Sequence, residues 1–231
     1  MSNPFFCFLK PKRFFSTLLC MLILLLSLGS LCSCNKTPDL TDYISEHRNN
    51  LFLYSGDGFF VKAHNTIKEH PYVADGYKGE LTHRAELFIT APVDIKTCLV
   101  TFITDGIEHH GEASYDNVKR HFYYSCAADL SETESLPLRI SFDGAEREIT
   151  LASVKKETLL QPAELLNKLF SEEAELLKSL IHGKEFLGEL YIRLLYENAP
   201  YFYVGVVDRS GNVTAFLMDG KTGKILAKRT A

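Results

Sequence analysis

The spacing of apolar side chains changes twice along this chain. A mostly apolar stretch without charge, Phe14–Leu31, comes first. A polar stretch follows from Asn35 to about Arg48, with Pro38 inside it, and reads as a tether with one turn of helix. From Leu51 to Val154 the apolar residues fall in short runs punctuated by turn residues, the pattern of consecutive strands. Leu51–Tyr54 and Phe59–His64 flank Gly56, Asp57 and Gly58, which predicts a hairpin. Glu80–Thr90 is a further strand, and Thr97–Thr104 pairs back with Ile107–Ser114 through Asp105 and Gly106. Arg120–Ala128 follows. In Leu136–Phe142, Leu138, Ile140 and Phe142 alternate with Arg139 and Ser141, and Asp143 and Gly144 turn the chain into Glu146–Val154. Such alternation buries one face and wets the other.

At Lys155 the period becomes helical. Pro162 suits a first helical turn, and Leu165, Leu166, Leu169, Phe170, Leu176, Leu177, Leu180 and Ile181 lie on one face. Gly183 reads as the cap of this helix. A second helix is predicted from Lys184 to about Glu197, carrying Phe186, Leu187, Leu190, Tyr191, Leu194 and Leu195 and stopped by Pro200. Tyr201–Val207 and Val213–Met218 form a last hairpin, with Leu217 and Ile225 expected to face the helices. The fold expected is mainly β plus α+β: a β-sandwich over 50–155, immunoglobulin-like in architecture only, then a helix–hairpin module over 156–231.

The first segment sets the address. Lys10, Lys12 and Arg13 precede the apolar run without an acid, which is the layout of a secretory signal. Leu31, Cys32, Ser33 and Cys34 resemble a bacterial lipobox, with Cys34 receiving lipid after removal of residues 1–33 and residues 34–49 acting as lipidated tether. Two alternatives are an uncleaved anchor, since a stretch of 18 residues just reaches spanning length, and simple secretion. All three place the rest outside the cytoplasm; the lipobox attaches it to a bacterial cell membrane. Without the three signal cations, 22 basic residues remain against 29 acidic ones, a net charge of −7. That balance argues against nucleic acid as a partner, because phosphate contacts need a basic surface.

Beyond the lipobox only Cys98 and Cys126 remain. Either they form a disulfide, worth about 3–4 kcal/mol by loop closure, or they are two buried thiols. His109 and His110 beside Glu108 and Glu112 have a metal-like composition, but neighbours on a strand point to opposite faces. His64, His70, His83 and His121 are scattered. No G-x-S-x-G or H-E-x-x-H pattern occurs, so no catalytic residue, metal or cofactor is assigned. Tyr123, Tyr124, Tyr191, Tyr196, Tyr201 and Tyr203 either form a binding surface or, the preferred reading, pack the late helix on the hairpin.

The tail from Tyr201 to Arg229 resembles a PepSY module, which has a helix, a strand pair ending in Asp-x-x-Thr-Gly, and an aliphatic strand. Asp219, Thr222 and Gly223 match that ending. Asp219 is expected to hold the turn backbone and Gly223 to adopt positive φ. The resemblance implies a peptidase-inhibiting or regulatory role. With the address, it implies a non-catalytic surface lipoprotein that binds or modulates an extracytoplasmic protein. A small-molecule or glycan binding module is the alternative, and a hydrolase a distant third.

Overall fold

A computed structural model describes residues 37–69, 79–92, 94–156 and 158–230. The expected signal segment and Cys34 lie outside the described residues, as does His70. After a short 3-10 turn, Leu40–Tyr43, capped by the Asp39 carboxylate, the strands are β1 (Ile44–Gly56), β2 (Phe59–Glu69), β3 (Leu81–Thr90), β4 (Cys98–Thr104), β5 (Ile107–Glu112), β6 (Ser114–Asp116), β7 (His121–Cys126), β8 (Ser135–Phe142) and β9 (Ala145–Ser153). Two helices follow, α1 (Pro162–Glu172) and α2 (Ala174–Ser179). The chain ends in β10 (Ile181–His182), β11 (Glu185–Phe186), β12 (Gly188–Tyr196), β13 (Pro200–Asp208), β14 (Val213–Asp219) and β15 (Ile225–Thr230). The protein is mainly β. Among the described residues no helix is long and apolar enough to cross a membrane.

Three Asp-Gly turns set the hairpins. Asp57–Gly58, Asp105–Gly106 and Asp143–Gly144 all have positive φ at both positions, the geometry whose twist matches the flanking strands. Hydrogen bonding runs β15-β14-β13-β12-β1-β2-β3-β7-β6, while β5-β4-β8-β9 forms a branch that rejoins β1 where Phe52 meets Ser153 and Leu53 meets Ala152. One core, with Phe52, Val61, Leu87, Ile89, Val100, Phe122, Leu138 and Ile140, fills the space between β2-β3-β7 and β4-β8-β9. A second collects Leu165, Leu166 and Leu169 of α1 with Leu190, Ile192, Val204 and Phe216 of β12–β14. β1 joins the two, pairing antiparallel with β2 and parallel with β12.

Buried amides tie the loop after β7 to β1 and β2. Asn50 and Asn65 are both fully buried. Asn50 donates to the Leu130 and Thr133 carbonyls (2.9 and 3.0 Å) and accepts from Ser153 Oγ (2.7 Å). Asn65 Oδ1 accepts from Leu130 N at 2.8 Å. Buried polar groups are tolerated when satisfied in this way.

Four sequence expectations are corrected. The second helix is absent: residues 185–196 form β11 and β12. Leu190 and Leu194 are four apart, which suits a helical turn and a strand face alike. The intervening buried Ile192 and the half-exposed Tyr191 and Arg193 give the strand period. Gly183 keeps its positive φ of 63° but turns the β10–β11 hairpin, and the preceding helix breaks at Glu173. The stretch before Arg48 is strand from Ile44, held by the parallel ladder to β12. Finally, Phe216 and Met218 face the core, so Leu217 lies on the opposite side of β14; Ile225 does pack against the core.

Candidate functional site

Helices α1 and α2 cover the face of β12–β14 that carries Leu190, Ile192 and Val204. Tyr191, Arg193 and Tyr203 alternate with those residues and therefore occupy the other face. The preferred packing role of these tyrosines is overturned for Tyr191 and Tyr203. The Arg193 guanidinium lies 5.3 Å from the Tyr191 ring centre and 5.4 Å from that of Tyr203, within cation–π range. Register places Glu46 opposite Tyr191 and Arg48 opposite Arg193.

From Arg193 a charged chain crosses the sheet. Arg193 grips Glu46 with two hydrogen bonds, 2.9 and 2.5 Å, and Arg48 Nε adds a third at 2.7 Å. On the neighbouring strands Glu86 accepts from Thr66 Oγ1 (2.7 Å), Lys68 Nζ (2.7 Å) and Tyr123 OH (3.0 Å). Arg84 donates to Ser125 from both Nε and Nη2. Glu46, Thr66 and Glu86 are buried.

Burial pushes the Glu86 carboxyl up, but the Lys68 and Thr66 hydrogen bonds, the Lys68 charge and the Tyr123 hydroxyl outweigh it and hold the group at about 2. Burial likewise opposes ionisation of Glu46, and the two arginines overcome it and lower its pKa. His64, 4 % exposed, pairs in register with Glu86 on β3, and its Nδ1 has no hydrogen-bond partner. Burial, then the charges of Arg48 and Lys62, push it down to about 3, so it is neutral.

A cleft of about 330 Å³ opens at the end of this chain, lined by Arg48, Glu86, Phe88, Lys119, His121 and Tyr123 among others. Phe88 is ringed by His64, His121 and Tyr123, with centroids at 5.6, 5.3 and 5.1 Å. A larger cleft, about 460 Å³, lies on β4, β5, β8 and β9 between Ile103, Pro137, Glu108 and Glu148. Among the described residues no comparable set of ion pairs leads to it, so the smaller cleft is the stronger site.

Of the residues singled out from sequence, Tyr123, His64 and His121 meet around Phe88, and the others lie elsewhere. Asp219 Oδ1 accepts from Lys221 N (3.0 Å), Thr222 N (2.8 Å) and Thr222 Oγ1 (2.8 Å), and Gly223 has φ 71°, so the expected turn forms. It sits against α1, beside Leu160 and Lys168. Cys98 and Cys126 are free thiols; burial pushes Cys98 up to about 12. His109 stacks on Phe102 at 5.1 Å, whereas His110 is exposed. Among the described residues no three His, Cys, Asp or Glu side chains gather as a metal site. Glu46, Arg48, Lys68, Glu86 and Arg193 escaped sequence reasoning. Their one signal is a charged residue at alternate strand positions, which a solvated face shares.

Comparison of the chain with protein-family models, with curated proteins and with solved structures returns no match.

Proposed function

We propose that this chain is a non-catalytic, lipid-anchored extracytoplasmic protein that binds or modulates a partner protein through the helix-free face of its sheet. The Tyr191–Arg193–Tyr203 stack carries the proposal. Tyrosine and arginine supply large contact area at modest entropic cost and dominate binding hot spots. Here Glu46 fixes the arginine, so little ordering remains to be done on association. The lipobox at Cys34 supplies the address. The finer fold assignments belong to the same proposal. Two strand groups sharing one core suit an immunoglobulin-like β-sandwich. A helix followed by an antiparallel meander with the Asp219–Gly223 turn suits a PepSY-like module, and makes a peptidase the partner class to test first.

A small-molecule or glycan ligand is the second reading, favoured by the Phe88 cleft, whose volume is at the lower end for such sites. A photo-crosslinker at Tyr203 in intact cells tests the first. It should capture one discrete partner, and the same group at Glu148, on the other strand layer, should not. Equal labelling from both positions, or none from Tyr203, refutes the docking face. An intact Met1 in the mature protein refutes the lipid anchor.

A further inference from the structure

Within the Phe88 cleft, three of the four carboxylate oxygens of Glu86 and Asp116 accept hydrogen bonds, while cationic donors are left over. Both Glu86 oxygens are taken, Oε2 by Thr66 and Oε1 by Lys68 and Tyr123. Asp116 Oδ1 accepts from the backbone of Val118 and Lys119, both at 2.9 Å. Arg48, by contrast, is bound through Nε alone, so among the described residues its two terminal nitrogens have no partner. Lys119 Nζ stands 3.8 Å from Asp116 Oδ2, beyond hydrogen-bond reach. Arg48 is nevertheless held in place, because its anchor Glu46 is itself clamped by Arg193. A pre-oriented guanidinium with a free edge is the group that recognises a carboxylate in two-pronged fashion.

We infer that this cleft is a carboxylate site, in which Arg48 and Lys119 hold one oxyanion while the attached skeleton lies against Phe88. A single negative charge fits better than a phosphate dianion, because Glu86 and Asp116 line the same space and repel a second charge. The carboxylate has two sources: an Asp or Glu side chain of the partner protein, or a free small organic acid. The inference deepens the binding reading above and rests on it.

The full chain in detergent, isotopically labelled, is titrated by NMR with benzoate, with neutral benzamide, and with a terminally blocked Glu-containing peptide. Saturable shifts at Arg48, Phe88 and His121 with benzoate or the peptide, at least tenfold weaker with benzamide, are expected. Benzoate binding points to a free acid, and binding of the peptide alone to a partner side chain. Arg48→Gln should weaken binding tenfold or more. The more exposed Lys119→Gln, which leaves the Glu46 network intact, should weaken it about threefold. The inference is overturned if neither acid saturates, if benzamide binds as well as benzoate, or if both variants bind as the parent does. Any of these three results fells the carboxylate site alone, whereas loss of crosslinking from Tyr203 in the parent fells the docking face, so the two readings fail separately.

Discussion

Replacing Glu86 by Gln tests the buried network most directly. The residue is 3 % exposed and its carboxylate serves three donors, Thr66, Lys68 and Tyr123. Gln keeps the shape but loses the charge facing Lys68 and turns an NH2 toward one of the donors. The carboxyl is held at about 2 rather than 4.5, which corresponds to about 3 kcal/mol of stabilisation at pH 7. Because the folded pKa is depressed, that stabilisation is complete above pH 4.5 and is lost as pH falls toward 2. Glu86→Gln should therefore cost about 2–3 kcal/mol at pH 7, one acceptor surviving, and the gap to the parent should close near pH 2. With no tryptophan in the chain, urea unfolding followed by far-ultraviolet circular dichroism at pH 7, 4 and 2.5 measures it. A gap below about 0.5 kcal/mol at pH 7, the size of an ordinary surface substitution, or one constant across this range, refutes the reasoning.

Three other measurements bear on the fold. Gly223→Val imposes a side chain at φ 71° with Leu160 Cδ1 2.8 Å from the new Cβ, so it should cost about 2–3 kcal/mol in thermal unfolding. Asp219→Ala, which loses exposed turn hydrogen bonds, should cost only about 1 kcal/mol, and the reverse order would refute the turn. His64 is held neutral at about 3 against 6.5, so its contribution is full above pH 6.5 and falls by about 2 kcal/mol at pH 5. His64→Gln should flatten the stability profile between pH 7 and 5, and an unchanged slope counts against this. Phe216→Asp buries an unpaired charge in the helix-side core and should cost more than about 3 kcal/mol. Leu217→Asp, on the open face, should cost under about 1 kcal/mol, and equal effects in urea titration would contradict the assigned faces.

What was legible in the chain was its local chemistry. The three Asp-Gly turns, the alternation in Leu136–Phe142 and the Asp219–Gly223 turn each depend on a few adjacent residues, and each forms as read. The helix expected through Leu190 failed because apolar spacings of four satisfy both periods. Only the neighbouring strands, β1 on one side and β13 on the other, select the extended form. The charged chain was invisible for a further reason. Glu46 and Arg193 are far apart in sequence and meet through a parallel ladder that no local signal announces. Tyr203 was noticed, but the face it occupies follows from where α1 and α2 dock.

The two irregularities of β1 help explain why the site lies where it does. Register shifts occur between Ile44 and Glu46 and again between Arg48 and Asn50. Such bulges locally re-aim side chains. Between them lies the short segment that carries Glu46 and Arg48. On one side the parallel ladder brings Arg193 to Glu46; on the other, β2 brings Thr66 and Lys68, which bind Glu86. Arg193, Arg48 and Lys68 thus face two carboxylates, one cation more than charge neutrality needs. A chain built for stability alone gains little from that excess, since a buried unmatched charge is costly. Arg48 carries it at the mouth of the cleft, where its terminal nitrogens have no partner among the described residues. The same contacts that join the two halves of the sheet therefore hold a donor in readiness for an acceptor from outside the chain.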